Sequence, residues 1–170
     1  MVLMAGLPAS GKSTLSRELA ARLDGTVLDK DKVRSAIFSP PDIEYSAEQD
    51  DFCMEIMLDA AAYVLQKNPA RFVFLDGRTF SRTRQIERVL QFATAHGQQW
   101  RILECACSEE TARKRLAQQL TLGEHPAANR DYDLYLTIKS RFEEIQLPKT
   151  VIDTDQPLEI CVQLALQALS

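Results

Sequence analysis

The chain lacks any long apolar run. Its longest hydrophobic stretches, such as Phe72 to Leu75, fall far short of the ~20 residues a helix needs to cross a bilayer. Met1 leads straight into an apolar strand pattern, so no secretory leader is expected and a cytoplasmic location is. Only four cysteines occur, Cys53, Cys105, Cys107 and Cys161, and none has metal-site spacing. They read as reduced core thiols, and the C-x-C pair, if it lies on a strand, should place both thiols on one face. Glycine and proline are few, 6 and 7 residues, which argues against fibrous or low-complexity structure, and no repeat or linker is visible. There is no basic excess either. With 20 Lys and Arg against 24 Asp and Glu, the formal charge of -4 gives no general attraction to nucleic acid or an anionic membrane, so any polyanion site must be local.

What is present is ordinary globular usage, 45% hydrophobic and 26% charged, in 170 residues. That length suits one domain burying about 70% of its unfolded surface. Apolar runs ending in polar loops alternate with segments of helical period. Val2 to Ala5, Thr26 to Leu28, Phe72 to Asp76, Trp100 to Ala106 and Val151 to Asp153 read as strands. Between them, Leu15, Leu19 and Leu23 mark a first helix, and Val33, Ile37 and Phe38 a short one that Pro40-Pro41 stops. Ser46-Ala47-Glu48-Gln49 has the form of a capping box before a long helix whose expected inner face is Cys53, Ile56, Met57, Ala60, Ala61 and Val64. Ile86, Val89, Leu90 and Ala93 mark a further helix with Gly97 past its end. Ser108 can cap another carrying Ala112, Leu116 and Leu120. Residues 122–129 are expected to loop, and Leu134, Ile138 and Phe142 to resume a helix up to Pro148. Leu158 to Leu169 forms the closing helix. The alternation implies an α/β fold, three layers around a largely parallel sheet of about five strands.

One motif carries chemistry by itself. Gly6-Leu7-Pro8-Ala9-Ser10-Gly11-Lys12-Ser13 matches G-x-x-x-x-G-K-[ST], follows a predicted strand and opens a predicted helix. Glycines let backbone wrap closely around phosphates, and successive N-H groups with the helix N-terminus supply fixed positive potential. Lys12 adds a charge for the β and γ phosphates, and Ser13 offers a hydroxyl to Mg2+. The expected ligands are therefore ATP and magnesium, with Gly6 to Thr14 as the nucleotide-binding segment. Asp76, ending the central apolar run, is placed to complete the magnesium shell. No N-K-x-D guanine signature is present, which disfavours a Ras-like GTPase.

The P-loop together with Leu28-Asp29-Lys30-Asp31-Lys32-Val33-Arg34 resembles small P-loop kinases of the AAA_33 group. These include polynucleotide 5'-hydroxyl kinase, chloramphenicol phosphotransferase, zeta-toxin-like, gluconate and adenylylsulfate kinases. The resemblance implies a nucleoside-monophosphate-kinase-like architecture over 1–170 with a helical lid near 108–131. It implies that Asp31, in D-x-x-R, meets the acceptor hydroxyl while Arg34 helps hold the substrate. Residues three apart at a helix start share a face, which makes that pairing physically sensible. Asp31 as a helix cap, and Asp29 as the base, remain open. Lid cations would come from Arg113 and Arg115, although the family's R-L-x-x-R is incomplete in Arg115-Leu116-Ala117-Gln118-Gln119, with Arg130 a substitute. Thr154, Gln156 and Pro157 resemble the place where these kinases enclose adenine; a cap before the last helix is the plainer alternative.

Arg78 and Arg82, after the Asp76 strand, stand where an acceptor would approach and suit an anionic or hydroxyl-rich molecule. His96 and His125 read as surface residues. The expected activity is transfer of the ATP γ-phosphate to a hydroxyl of a small acceptor. A polynucleotide 5'-hydroxyl kinase, disfavoured by net charge, and a non-catalytic ATP-dependent switch are the alternatives. The acceptor's identity and the oligomeric state are not legible.

Overall fold

A computed structural model describes residues 1–122 and 131–170. Five strands, β1 (Val2–Ala5), β2 (Thr26–Asp29), β3 (Val73–Asp76), β4 (Arg101–Ala106) and β5 (Thr150–Asp153), pair in parallel in the order β2-β3-β1-β4-β5. The helices are α1 (Lys12–Arg22), α2 (Lys30–Ile37), α3 (Ala47–Lys67), α4 (Thr83–Ala95), α5 (Glu109–Leu122), α6 (Tyr132–Ser140) and α7 (Leu158–Leu169). The α/β class and the five-strand parallel sheet agree with the expectation from sequence.

Strand period sorts the core into two halves. In β1, Val2 and Met4 face a cluster with Leu15 and Leu19 of α1 and Val162 and Ala165 of α7. Leu3 and Ala5 face a second cluster with Met57 and Leu58 of α3 and Ile86 and Val89 of α4. In β3, Phe74 joins the first side and Val73 and Leu75 the second. Both faces of the sheet are thus covered, which is why these strands read as continuous apolar runs. Side chains such as Leu3 and Leu75, fully buried, each contribute about 1.5–3 kcal/mol. A smaller third cluster, Ala9, Ala112, Leu116 and Tyr135, packs α5 and α6 onto the loop after β1.

Several local expectations shift. In α3 the buried stripe includes Met54, Leu58 and Leu65, whereas Ile56, Ala60 and Val64 are half-buried, because the helix turns its other apolar edge to the sheet. Ser46 caps α3 as expected, accepting from Gln49 N at 3.1 Å, but the Gln49 side chain is spent on Glu44 N and Asp42 O. α6 ends at Ser140, well before Pro148, and buries Tyr135 instead of Leu134 or Ile138. In α4, Phe92 is buried and Leu90 only partly so. Cys105 and Cys107 do not share a face: β4 ends between them, Cys105 enters the α1/α7 core and Cys107 the third cluster. Burial pushes the Cys105 thiol up to about 12, an unreactive thiol. The expected loop 122–129, Arg130 and His125 lie outside the described residues, apart from Leu122, which ends α5. His96 is the C-cap of α4, its ring stacked on Phe92. Among the described residues no helix is long and apolar enough to cross a membrane.

The topology fixes where a ligand can bind. From β1 the chain leaves through α1 towards β2 on one side, and from β3 it leaves through α4 towards β4 on the other. The loops diverging from the C-terminal ends of adjacent β1 and β3 open a crevice at this switch point.

Candidate active site

The first wall is the loop from Gly6 to Ser13. Its glycines are required by space and by backbone: Gly6 has φ 130°, and a Cβ there would lie 2.2 Å from Cys105 O and 2.8 Å from Ser10 Oγ. Gly11, at φ 85°, ends the loop as the N-cap of α1. That helix start has no side-chain cap and no acid in its first turn, and it carries Lys12, the opposite of what the macrodipole favours. Its amide groups are therefore available to an external anion. Lys12 is buried, and its Nζ donates to Gly6 O at 2.9 Å and Leu7 O at 2.7 Å. Thr14 is exposed in the same turn, and the Ser13 hydroxyl has no hydrogen bond among the described residues. Gly6→Ala is expected to cost about 2–4 kcal/mol, from a backbone clash added to the strained φ, and to weaken nucleotide binding. Denaturant unfolding with and without nucleotide measures both.

Behind this loop, the β2/β3 register sets Asp29 beside Asp76. Asp76 is 1% exposed; Ser16 Oγ approaches its Oδ2 at 3.5 Å, and its Oδ1 has no hydrogen-bond partner. A buried carboxylate oxygen left without a partner at the end of a central strand fits a cation shell, so Asp76 with Ser13 suits magnesium. Asp29 is a helix cap. Its Oδ1 accepts from Asp31 N at 2.9 Å and Lys32 N at 3.4 Å, while burial and then the Asp76 carboxylate push its pKa up. The cap function considered for Asp31 thus belongs to Asp29.

Asp31 faces the crevice in a buried charged group. Arg34 Nη1 donates to Asp31 Oδ1 at 2.7 Å, Lys30 Nζ lies 3.5 Å from the same oxygen, and both cations share Asp50 Oδ1 from α3. Arg34 is 2% exposed and stacks under Tyr45, its carbon centre 5.0 Å from the ring. With both terminal nitrogens engaged, Arg34 braces Asp31. These residues line a cavity of about 380 Å³ that also touches Pro8, Gly77, Arg78, Arg82, Leu134 and Ile138. Arg78, buried, donates to Asp51 at 2.5 Å. Arg82 Nη1 donates to Glu143 Oε1 at 2.9 Å, and Thr83 N donates to Oε2 at 2.7 Å, a tie between α4 and the segment after α6.

The Thr83 amide and then the Arg82 guanidinium hold Glu143 down to about 2. A carboxylate depressed on folding contributes stability that is present above its ordinary value of 4.5 and is lost as pH falls towards 2. The thermal stability gap between the wild type and Glu143→Gln is therefore expected to be open at pH 7 and to close between pH 4.5 and 2. Because the pair is half exposed, the gap should also shrink with salt.

The opposite side of the loop meets α5. Arg115 Nη1 donates to Ala9 O at 3.2 Å and Thr154 Oγ1 at 3.1 Å, and Nη2 to Thr154 O at 2.7 Å. Thr154 Oγ1 in turn lies 3.0 Å from Ser10 O. The structure therefore joins Arg115, Thr154 and the phosphate loop. It does not join Arg113, which is exposed over the Tyr132 ring at 5.4 Å. Gln156 and Pro157 are exposed, Gln156 contacting Asp153 at 3.4 Å and Pro157 opening α7. Sequence reasoning missed Asp50, Tyr45, Glu143 and Asp155. The last accepts from Ser108 N at 2.9 Å, holding the start of α5 to the loop after β5.

The sequence profile of the AAA_33 family, an AAA domain, matches residues 1–145. No curated protein matches the sequence. Among solved structures, a Chloroflexus aurantiacus protein provisionally described as a kinase is 22% identical with a TM-score of 0.76, over 99% of this chain and 97% of its own. The Mycobacterium tuberculosis APS kinase, solved with AMPPNP and APS, is 17% identical with a TM-score of 0.74, over 99% and 95%. A Sinorhizobium meliloti gluconokinase is 15% identical with a TM-score of 0.71, over 99% and 90%. At these identities the likeness is one of fold. The chain belongs to the AAA_33 family of AAA domains and has the fold of the P-loop kinases.

Proposed function

We propose that the chain is an ATP-dependent kinase transferring the γ-phosphate to a hydroxyl of a small molecule bound in the cavity beside Asp31. The observation that carries this is the placement of a braced carboxylate and the phosphate loop on one cavity, since Asp31 and Pro8 both line it. An acceptor there meets a carboxylate on one side and the γ-phosphate on the other. The AMPPNP in the APS kinase neighbour is in keeping with a triphosphate on this loop.

Lys12 and the α1 amides hold the β and γ phosphates. Ser13 and Asp76 are the residues that would hold magnesium, which would supply neutralisation of charge on the transferring phosphate. Asp31 orients the acceptor hydroxyl and takes its proton. The hydroxyl oxygen bonds to the γ-phosphorus as the bond to the β,γ-bridging oxygen breaks, and ADP leaves with that electron pair. Arg34 and Lys30, fixed on Asp50, set the Asp31 rotamer; such positioning supplies much of the rate in phosphoryl transfer. Arg115, contacting Ala9 and Thr154 from α5, is the cation of the nucleotide side in a single domain spanning 1–170.

A screen of hydroxyl compounds for acceptor-dependent ADP release tests the proposal. ADP formation that needs an acceptor supports it. Tight ATP binding with no acceptor-dependent release across sugars, nucleosides, aminoglycosides and oligonucleotides leaves a nucleotide-dependent switch as the reading.

A further inference from the structure

Charge in the acceptor cavity is unlike that of the whole chain. Six cationic side chains line it, Lys30, Arg34, Arg78, Arg82, Arg84 and Arg141, against two carboxylates, Asp31 and Asp50, in a protein of net charge -4. Lys30 and Arg34 are balanced by Asp31 and Asp50, and Arg82 by Glu143. Three cations are left with donor capacity to fill. Arg78 spends Nη2 on the half-exposed Asp51, and its buried Nε has no partner. Arg84 and Arg141 have no side-chain hydrogen bond or ion pair among the described residues. Arg141 is the C-cap of α6, where the helix dipole favours a cation, but Arg84 stands in the first turn of α4, where the dipole opposes one. Helix stability therefore does not explain Arg84. Gathering unbalanced guanidinium groups at a cavity raises their mutual repulsion unless an anion enters, and their planar forks match carboxylate and phosphate oxygens in pairs.

We propose that the acceptor carries an anionic group, a phosphate monoester or a carboxylate, held by Arg78, Arg84 and Arg141 while its hydroxyl meets Asp31. The inference rests on the kinase reading and narrows its substrate class. A cavity of about 380 Å³ suits a small metabolite, and Leu134 and Ile138 of α6 supply apolar wall for its carbon frame.

Matched pairs test it: glycerol with glycerol 3-phosphate and glycerate, glucose with glucose 6-phosphate, sorbitol with gluconate, adenosine with 3'-AMP. Acceptor-dependent ADP release is read for the wild type and the Arg84→Gln/Arg141→Gln double variant, whose exposed substitutions do not threaten folding. The anionic member of a pair is expected to be the better acceptor by at least about tenfold in kcat/KM. In the variant that preference should fall about ten- to hundredfold while nucleotide Kd is unchanged. Preference for phosphate over carboxylate, or the reverse, identifies the group. Equal use of neutral members, equal loss on both members, or weakened nucleotide binding in the variant would overturn the inference and leave the kinase reading standing. ADP release with a neutral compound of the wider screen but with no anionic member of any pair would overturn the inference alone. ATP binding without ADP release from any pair or any compound of that screen would remove the kinase reading, and the inference with it.

Discussion

Asp31→Asn is expected to lower kcat by about two to four orders of magnitude, the range a positioned proton acceptor supplies. Nucleotide affinity should stay within about twofold of the wild type, because the phosphate loop does not depend on that carboxylate. The amide keeps the shape of the side chain but loses the charge facing Arg34 and Lys30. Both cations retain Asp50, so the buried group is weakened without being orphaned. The matching control is Asp29→Asn. Asparagine caps a helix as well as aspartate does, so capping of Asp31 N and Lys32 N should survive and the rate should change only a few-fold. Nucleotide titration and thermal unfolding of both variants separate loss of chemistry from loss of fold. Equal damage from the two substitutions would contradict the assignment of Asp31.

Lys12→Ala is expected to act on binding and turnover together. Lys12 is the buried cation of the loop, and replacing it removes the charge that would exchange Gly6 O and Leu7 O for phosphate oxygens. Loss of a charged group aimed at the transferring phosphate lowers kcat/KM by at least about 10²–10³. Nucleotide Kd should rise as well, which distinguishes this variant from Asp31→Asn. Stopped-flow or calorimetric binding beside steady-state kinetics gives the split. A variant that binds ATP normally and turns over slowly would move Lys12 from holding the phosphates to acting only in the transition state.

The centre of the sheet was legible because β1 and β3 are short apolar runs buried on both faces, ending at polar turns after Ala5 and Asp76. The half-buried β2 was legible from its end at Asp29, which caps α2. The phosphate loop was legible because its contacts are local and its glycines are demanded by backbone and space. The D-x-x-R pair was legible for the same reason: Asp31 and Arg34 lie one helical turn apart. Asp50 was not, since an acid among Glu48, Asp50 and Asp51 at a helix start is expected from the dipole, and only tertiary packing brings α3 against α2. Glu143 and Asp155 were hidden by distance along the chain from Arg82 and Ser108. Arg115 and Arg113 are two residues apart and alike in sequence, but α5 turns only Arg115 towards Ala9 and Thr154. The C-x-C reading failed because β4 stops at Ala106, so alternation does not extend to Cys107.

A single-turnover reaction with γ-labelled ATP, in the presence of an acceptor identified by ADP release, tests most directly whether the cavity beside Asp31 is where phosphate is transferred. Label recovered covalently on the acceptor in the wild type, and lost by about two orders of magnitude or more in Asp31→Asn at saturating ATP, is the predicted result. Label released as inorganic phosphate at the same rate with and without acceptor, in both proteins, would contradict it.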